Sequence, residues 1–326
     1  MKSNMKRVLI GVDWGGTFLK VGILDSKLSV RIKKIIPTKE IEKKKDFLSK
    51  FPQIIKSILK KINLTEKNVR ALGIGAPGII DVKKGYIYVL PNVKGWEGVN
   101  LKKLLERRFK FPVFIDNDAN LIALAESRLG AGKNFSNFLC LTLGTGVGGG
   151  LILNKKLHRP RGISNCEAGH FCIDLEGKLC ACGAKGCIET FVGNKYLIDF
   201  YKTTHKKLPP LLKKLISVEN EKELTPKILY KAALTGDKDS IKVFKRLARA
   251  LGFYITGVIN LLGLEAVIIG GGIASSWRLI SKDIKKIVRE YAMPPFNRTV
   301  KILKTQLKED AGILGAGILA KEGVGV

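Results

Sequence analysis

In VLIGVDWGGTFLKVGIL, residues 8–24, two apolar runs are broken by Gly15-Gly16. Each run is short, rich in branched side chains and bounded by turn residues, so the segment reads as two strands joined by a tight turn. The alternation in SVRIKKII, residues 29–36, adds a third strand and completes a meander. The same layout returns at FLCLTLGTGVGGGLIL, residues 138–153, in different letters. Between the two units, residues 40–62 and NLKKLLERRF (100–109) carry helical periodicity, whereas VRALGIGAP (69–77) and PVFID (112–116) read as buried strands. Helix and strand alternate, and two similar halves each offer a glycine-rich β-turn-β unit. The pattern predicts an α/β fold of two mixed-sheet lobes that grip one nucleotide in the cleft between them.

The chain has 326 residues, beyond the usual size of a single core, which agrees with two lobes. A helix is expected to open at Asn117 or Asp118, both good N-cap residues, and to close at Gly130 and Gly132. Residues 205–227, rich in Lys, Pro and Leu, read as a surface connection with some helix. VIIGGGI (267–273) is a buried strand running into glycines. EDAGILGAGILAKEG (309–323) reads as a small-residue helix expected to pack back on the first lobe. The expected division is therefore 1–117 plus 307–326 for the small lobe and 118–306 for the large one.

Lys and Arg number 58 against 28 Asp and Glu, a net charge of +30 that favours anionic partners. The lysines are scattered over helix faces and loops, with no basic arm or nucleic-acid motif, so nucleic acid is not an expected partner. The N-terminus MKSNMKRVLIGVD lacks a small-residue cleavage site, and no run of about 18 apolar residues follows, so a cytoplasmic protein without membrane attachment is expected.

Five of the six cysteines fall between Cys166 and Cys187, which in a reducing compartment points to metal ligation. His170, Cys180, Cys182 and Cys187 form H-x9-C-x-C-x4-C, punctuated by Gly177, Gly183 and Gly186. Three thiolates and one imidazole fill a zinc tetrahedron and leave no open position, so the site would be structural. Cys166 and Cys172 lack that glycine context and, with Cys140, read as packed or incidental thiols. His158 and His205 read as solvated.

Asp13, Gly15, Gly16 and Thr17 sit at a strand end, where bare backbone N–H groups and the Thr17 hydroxyl can approach phosphate oxygens. The Asp13 carboxylate suits a hydrated Mg²⁺ ion. Taken alone, such a turn is as often a plain hairpin. The second loop, Gly144-Thr145-Gly146 followed by Val147 and three further glycines, holds more glycine than a hairpin needs, and ligand approach is the expected reason. Gly271-Gly272 offers a third surface, expected beside adenine and ribose. Neither loop is a Walker A motif or a dinucleotide fingerprint.

Together these residues resemble the sugar kinases, open reading frames and repressors grouped as ROK, within the actin-like ATPase superfamily of ribonuclease H-like fold. The carriers are Asp13 to Thr17, GIGAPGIID (73–81), PNVKGWEGVNL (91–101), IDNDAN (115–120), the glycine loop at 144–150, Glu167-x-Gly169-His170, the cysteine run and Glu189. They span essentially the whole chain. The resemblance implies that Asp118 is the catalytic base and that Asn117, Glu167, His170 and Glu189 bind sugar hydroxyls, with Gly78 and Asn92 in the same pocket. It also implies ATP and Mg²⁺, a structural Zn²⁺ and a homodimer whose interface the large lobe carries. A carboxylate at a helix start can accept the proton of a sugar hydroxyl during phosphoryl transfer. His170 would place one ring nitrogen on zinc and turn the other to the sugar.

Two positions depart from the family pattern: Phe18 stands where lysine is common, with Lys20 available instead, and Asn165-Cys166 stand where glycine and alanine types are commoner. The loop at 91–101 and the IDNDAN context look most like the glucokinase branch, so the 6-hydroxyl of glucose is the expected acceptor. N-acetylmannosamine, N-acetylglucosamine, mannose and fructose kinases share the same core. A sugar-sensing, non-catalytic repressor of this family carries an N-terminal helix-turn-helix, and with a first strand expected by about Val8 that alternative is the less expected one.

Overall fold

The computed structural model describes residues 7–91, 95–164, 166–204 and 207–325. Asn92, Asn165 and His205 thus lie outside the described residues. The strands are β1 (Val8–Trp14), β2 (Phe18–Leu24), β3 (Val30–Pro37), β4 (Val69–Ala76), β5 (Ile79–Asp81), β6 (Tyr86–Val89), β7 (Val99–Asn100), β8 (Val113–Asn117), β9 (Phe138–Leu143), β10 (Val147–Leu153), β11 (Lys156–Leu157), β12 (Ala266–Gly270) and β13 (Lys301–Lys304). They form two five-stranded sheets, ordered β3-β2-β1-β4-β8 and β11-β10-β9-β12-β13, and a small antiparallel sheet β5-β6-β7.

The two large sheets repeat one topology. β1 and β9 each pair antiparallel with the strand that follows and parallel with a later one, β4 or β12, which pairs parallel with β8 or β13. The internal duplication suggested by two glycine-turn hairpins is therefore a duplication of the whole sheet. β4, β9 and β12 are apolar without strict alternation because helices cover both faces of their sheets. β3 lies at an edge and exposes lysines, which discourages pairing with another chain.

Three helices belong to the first half or leave it: α1 (Lys44–Lys61), α2 (Leu101–Glu106) and α3 (Asp118–Leu129). α3 follows β8 of the first sheet yet packs on the second, where Gly150 leaves space for Ala123. The final helix, Ala311–Gly323, makes the reverse exchange, following β13 and packing on β1, β4 and β8. It approaches so closely that a side chain at Gly11 or Gly73 would collide with its backbone, and one at its own Gly315 would collide with Leu121 of α3. This is why the last helix is built of glycine and alanine. Among the described residues no helix is long and apolar enough to cross a membrane.

In the first core, Trp14 stacks on Phe47 at 4.6 Å and meets Trp96 edge-on at 5.0 Å, tying the first glycine turn to α1 and to the 91–101 loop. A polar pin sits where the chain returns from the second sheet. Glu126 of α3 is fully buried, and its carboxylate accepts the N–H groups of Ala131 at 2.7 Å and of Gln306 and Leu307 at 3.0 Å each. Glu126→Ala leaves these donors without their acceptor and should cost about 3 kcal/mol in urea unfolding. Glu126→Gln, which keeps one carbonyl oxygen, should cost visibly less; equal losses would remove the carboxylate from this role.

Candidate active site at the ends of β1, β8 and β9

Asn117 ends β8 and caps α3: its Oδ1 accepts the Asn120 N–H at 3.1 Å, and its Nδ2 donates to the Gly78 carbonyl at 3.0 Å. Asp118 is thus the first helical residue rather than the cap. Its carboxylate accepts the N–H of Ala119 at 2.8 Å. Burial, then the charge of Asp13 and more weakly that of Glu167, push its carboxyl up to about 7, against backbone hydrogen bonds that pull it down. The Asp118 group is therefore poised to take or release a proton near neutral pH. Charges from three distant segments, Asp13, Asp118 and Glu167, thus act on one another.

Asp13 lies at the end of β1 over the start of the final helix, where a side chain at Gly312 would strike it. Burial raises its carboxyl, and Lys20, with Nζ 3.4 Å away, lowers it. Lys20 also donates to the Glu309 carbonyl at 3.3 Å, so it stands beside the first loop although Phe18 occupies the adjoining position. Thr38 holds the turn from behind: its N–H donates to the Thr17 carbonyl at 2.9 Å and its hydroxyl to the Gly15 carbonyl at 2.8 Å. Gly16 and Thr17 are exposed, and a side chain added at Gly16 would meet nothing.

The second loop divides in two. Gly144 and exposed Thr145 face open space, whereas a side chain at Gly146 would strike Glu189. A side chain at Gly148 would crowd Thr142 and Ala119, and Gly149 and Gly150 face Ala168 and Ala123. Packing of α3 and of the 166–170 turn on β10 therefore requires Gly148, Gly149 and Gly150, and the expectation that ligand approach explains all of them is corrected. Gly271, with φ of 81°, lies against the backbone of Leu143, so the third glycine turn adjoins the second; Gly272 is exposed.

His170, Cys180, Cys182 and Cys187 come together with all four ligand atoms within 4.8 Å of one another. Cys182 and Cys187 sulfurs are 3.6 Å apart, as are the Cys180 sulfur and His170 Nδ1. A tetrahedron with ~2.3 Å metal–sulfur arms has edges of about 3.8 Å, or about 3.6 Å from sulfur to nitrogen, so these two separations and the chemistry of the donor set suit zinc. Cys172 lies outside, its thiol donating to the Asp174 carbonyl at 3.6 Å, and Cys166 packs toward the second core. His170 turns Nδ1 to the cluster, which leaves Nε2 for another partner.

Glu189 links this cluster to the glycine loop. One carboxylate oxygen accepts the Val147 N–H at 2.9 Å, and the other lies 3.8 Å from the Cys180 sulfur. Glu167 is exposed at the start of the Ala168–His170 turn. Asn92, expected beside Gly78, is outside the described residues. Sequence reasoning missed Asp116 and Arg159, paired at 2.5 Å directly behind Asn117. A carboxylate closing the buried strand PVFID was the available signal for Asp116; Arg159 left none.

The ROK family model matches residues 9–323. The glucokinase of Thermotoga maritima is 34% identical over 98% of this chain and 99% of its own length. The xylose repressor of Caldicellulosiruptor bescii is 29% identical over 94% of this chain and 76% of its own. Among solved structures, a ROK family glucokinase from Streptomyces griseus in complex with glucose and AMPPNP superposes with a TM-score of 0.83 at 31% identity, covering 97% of this chain and 100% of that one. With its repeated sheets, its exchanged helices and a match from end to end, this chain belongs to the ROK family.

Proposed function

We propose that this protein is an ATP-dependent glucokinase that transfers the γ-phosphoryl group to the 6-hydroxyl of glucose. The observation that carries the reading is Asp118, a carboxyl raised to about 7 by burial and by the charges of Asp13 and Glu167, at the start of the helix on which Gly148 packs. A sugar hydroxyl is a weak nucleophile, and a base poised near neutral pH is suited to accept its proton as the phosphorus–oxygen bond forms. Glucokinase relatives from Thermotoga maritima and Halalkalibacterium halodurans, each 34% identical over nearly the whole chain, support the choice of acceptor.

In this reading the small lobe is 1–117 with 307–326, the large lobe is 118–306, and ATP lies between Asp13, Gly15, Gly16 and Thr17 on one side and Gly144, Thr145, Gly146, Gly271 and Gly272 on the other. Lys20 takes the place of the lysine that Phe18 displaces. The half-buried Asp13 carboxylate, with one lysine beside it, suits Mg²⁺, which when bound would neutralise phosphate charge. Asn117, Glu167, His170 and Glu189 orient the sugar, with Gly78 nearby. Glu189, partly buried, would reject sugars lacking a hydroxyl, because a carboxylate oxygen left unpaired in the closed site is costly. Zinc, held by His170, Cys180, Cys182 and Cys187, would brace this wall and lock the His170 tautomer. A homodimer through the large lobe fits the exposed Phe253–Tyr291 contact at 5.1 Å and the neighbouring exposed Leu261 and Met293.

A panel of hexoses and N-acetylhexosamines, offered with ATP, ADP or polyphosphate, tests the reading directly. Glucose with ATP should give the highest kcat/KM, and preference for an N-acetylated sugar would displace the glucose assignment. Because kcat/KM reports the free enzyme, it should fall about tenfold per pH unit below about 7.

Asp118→Asn should lose about 10³ in kcat and keep glucose binding. The same variant should be more stable at pH 8. The folded protein keeps a proton on Asp118 that the unfolded chain releases above the ordinary value of 3.8. That contribution is fully present below about pH 4 and is lost as pH rises through about 7, so a neutral amide removes the penalty at pH 8. A gain in Tm of roughly 2–4 °C is expected, and a fall in Tm would contradict the burial cost. Purified protein should hold about one zinc per chain. Cys182→Ser should lower zinc content and Tm together, whereas Cys166→Ala should leave the zinc in place.

A further inference from the structure

Asp116 and Arg159 form an ion pair that no contact assigned above to sugar or nucleotide uses. Asp116 is fully buried near the end of β8. Its Oδ1 accepts the Asn117 N–H at 2.7 Å and the Asn120 side-chain amide at 2.9 Å, while its Oδ2 takes Arg159 Nε at 2.5 Å. One carboxylate thus holds the turn that presents Asn117 and Asp118.

Arg159 comes from the other half of the molecule. It follows β11 of the second sheet, and the residues after it are stitched to β5 in the first half. The Val82 N–H donates to the Gly162 carbonyl at 2.8 Å and the Ser164 N–H to the Ile80 carbonyl at 2.7 Å, while the Ser164 hydroxyl oxygen accepts the Ile80 N–H at 2.8 Å. The Ser164 hydroxyl also lies 3.4 Å from the Gly78 carbonyl, the acceptor of Asn117 Nδ2. Residues 159–164 therefore strap the two halves together behind Asp118 and lead directly to Glu167 and His170.

The arrangement is poorly explained by stability. Arg159 Nη2 and Asn120 Oδ1 are buried with no hydrogen-bond partner among the described residues, and Arg161 within the strap has the left-handed φ of 56°. A buried ion pair with orphan polar atoms beside it gives little net stability, and apolar replacements are often as stable. Its location is better explained by what it holds.

We propose that Arg159, acting through Asp116, is a positioning residue that registers the Asn117–Asp118 turn against the Glu167–His170 wall. The inference rests on the kinase reading for its kinetic consequence and on the strap geometry alone for its structural one. Arg159→Met, judged folded by circular dichroism, should lower kcat about 10–100-fold at saturating substrates. KM for ATP should stay within about twofold, because neither phosphate loop is touched. Arg159→Lys should recover part of the loss, keeping the charge without the planar fork.

If the single variant fails to fold, the double variant Asp116→Asn, Arg159→Met removes both charges and leaves no unpaired buried one. Low kcat in that folded protein supports the proposal, and wild-type kcat overturns it; so does a parallel rise in KM for ATP, which would mark general loosening. Amide exchange supplies a reading independent of turnover. In Arg159→Met, peptides covering 113–125 should exchange about tenfold faster while those covering 8–24 stay unchanged. Unchanged exchange at 113–125 sinks the inference even in an active enzyme. A wild-type protein that phosphorylates no hexose sinks the kinase reading instead and leaves the exchange result to decide on the strap.

Discussion

Asp118 shares its cleft with Asp13 and Glu167, and like charges in a poorly hydrated site resist ionising together. Burial raises the Asp118 carboxyl most, and this repulsion adds to it while also tending to spread the walls of the cleft. The surrounding structure answers it with fixed geometry. Thr38 holds the first glycine turn from behind, Asn117 caps α3, and Gly312 gives the Asp13 side chain its space. Lys20 offsets part of the charge on Asp13, while Arg159 neutralises Asp116 behind the turn.

The repeated sheets explain how one cleft receives residues from both halves. Each half sends the helix after its last paired strand to pack on the other half's sheet, α3 onto β10 and the final helix onto β1 and β4. The two helices then meet at Gly315 and Leu121 with backbone nearly touching. Close helix crossings of this kind leave little freedom for sliding, so Asp118, at the first turn of α3, is placed by the second sheet as much as by the first. Glu126 strengthens the same junction by taking the N–H groups of Gln306 and Leu307 as the chain crosses back.

The cysteine and histidine cluster belongs to this logic too. Its four donor atoms lie within 4.8 Å of one another, and Glu189 connects it to the Val147 N–H beside the glycine loop. The short segment 171–188 has little regular structure and is held by a few backbone hydrogen bonds, among them Ile173 N–H to the Gly186 carbonyl at 2.9 Å and Ile188 N–H to the Phe171 carbonyl at 2.9 Å. In the proposed enzyme a metal held by the cluster would add a cross-link on the sugar side of the cleft, while the nucleotide side would rely on strand ends and bare backbone.

The chain's own letters determined the local features: both glycine-turn hairpins, the start of α3 at IDNDAN, the four members of the cysteine and histidine cluster among several candidates, and the small-residue character of the final helix. Each is written within roughly twenty residues, where strand alternation, helix periodicity, capping chemistry and ligand spacing leave a readable pattern. The same letters misled at Gly148, Gly149 and Gly150, since a glycine required for packing looks identical to one required by a ligand. Only the tertiary structure decided the pairing of Arg159 with Asp116, 43 residues away, and of Glu126 with Gln306, 180 residues away. Partnership between buried polar groups on remote segments depends on which surfaces meet after folding, and it imposes no period or spacing on the sequence that carries it.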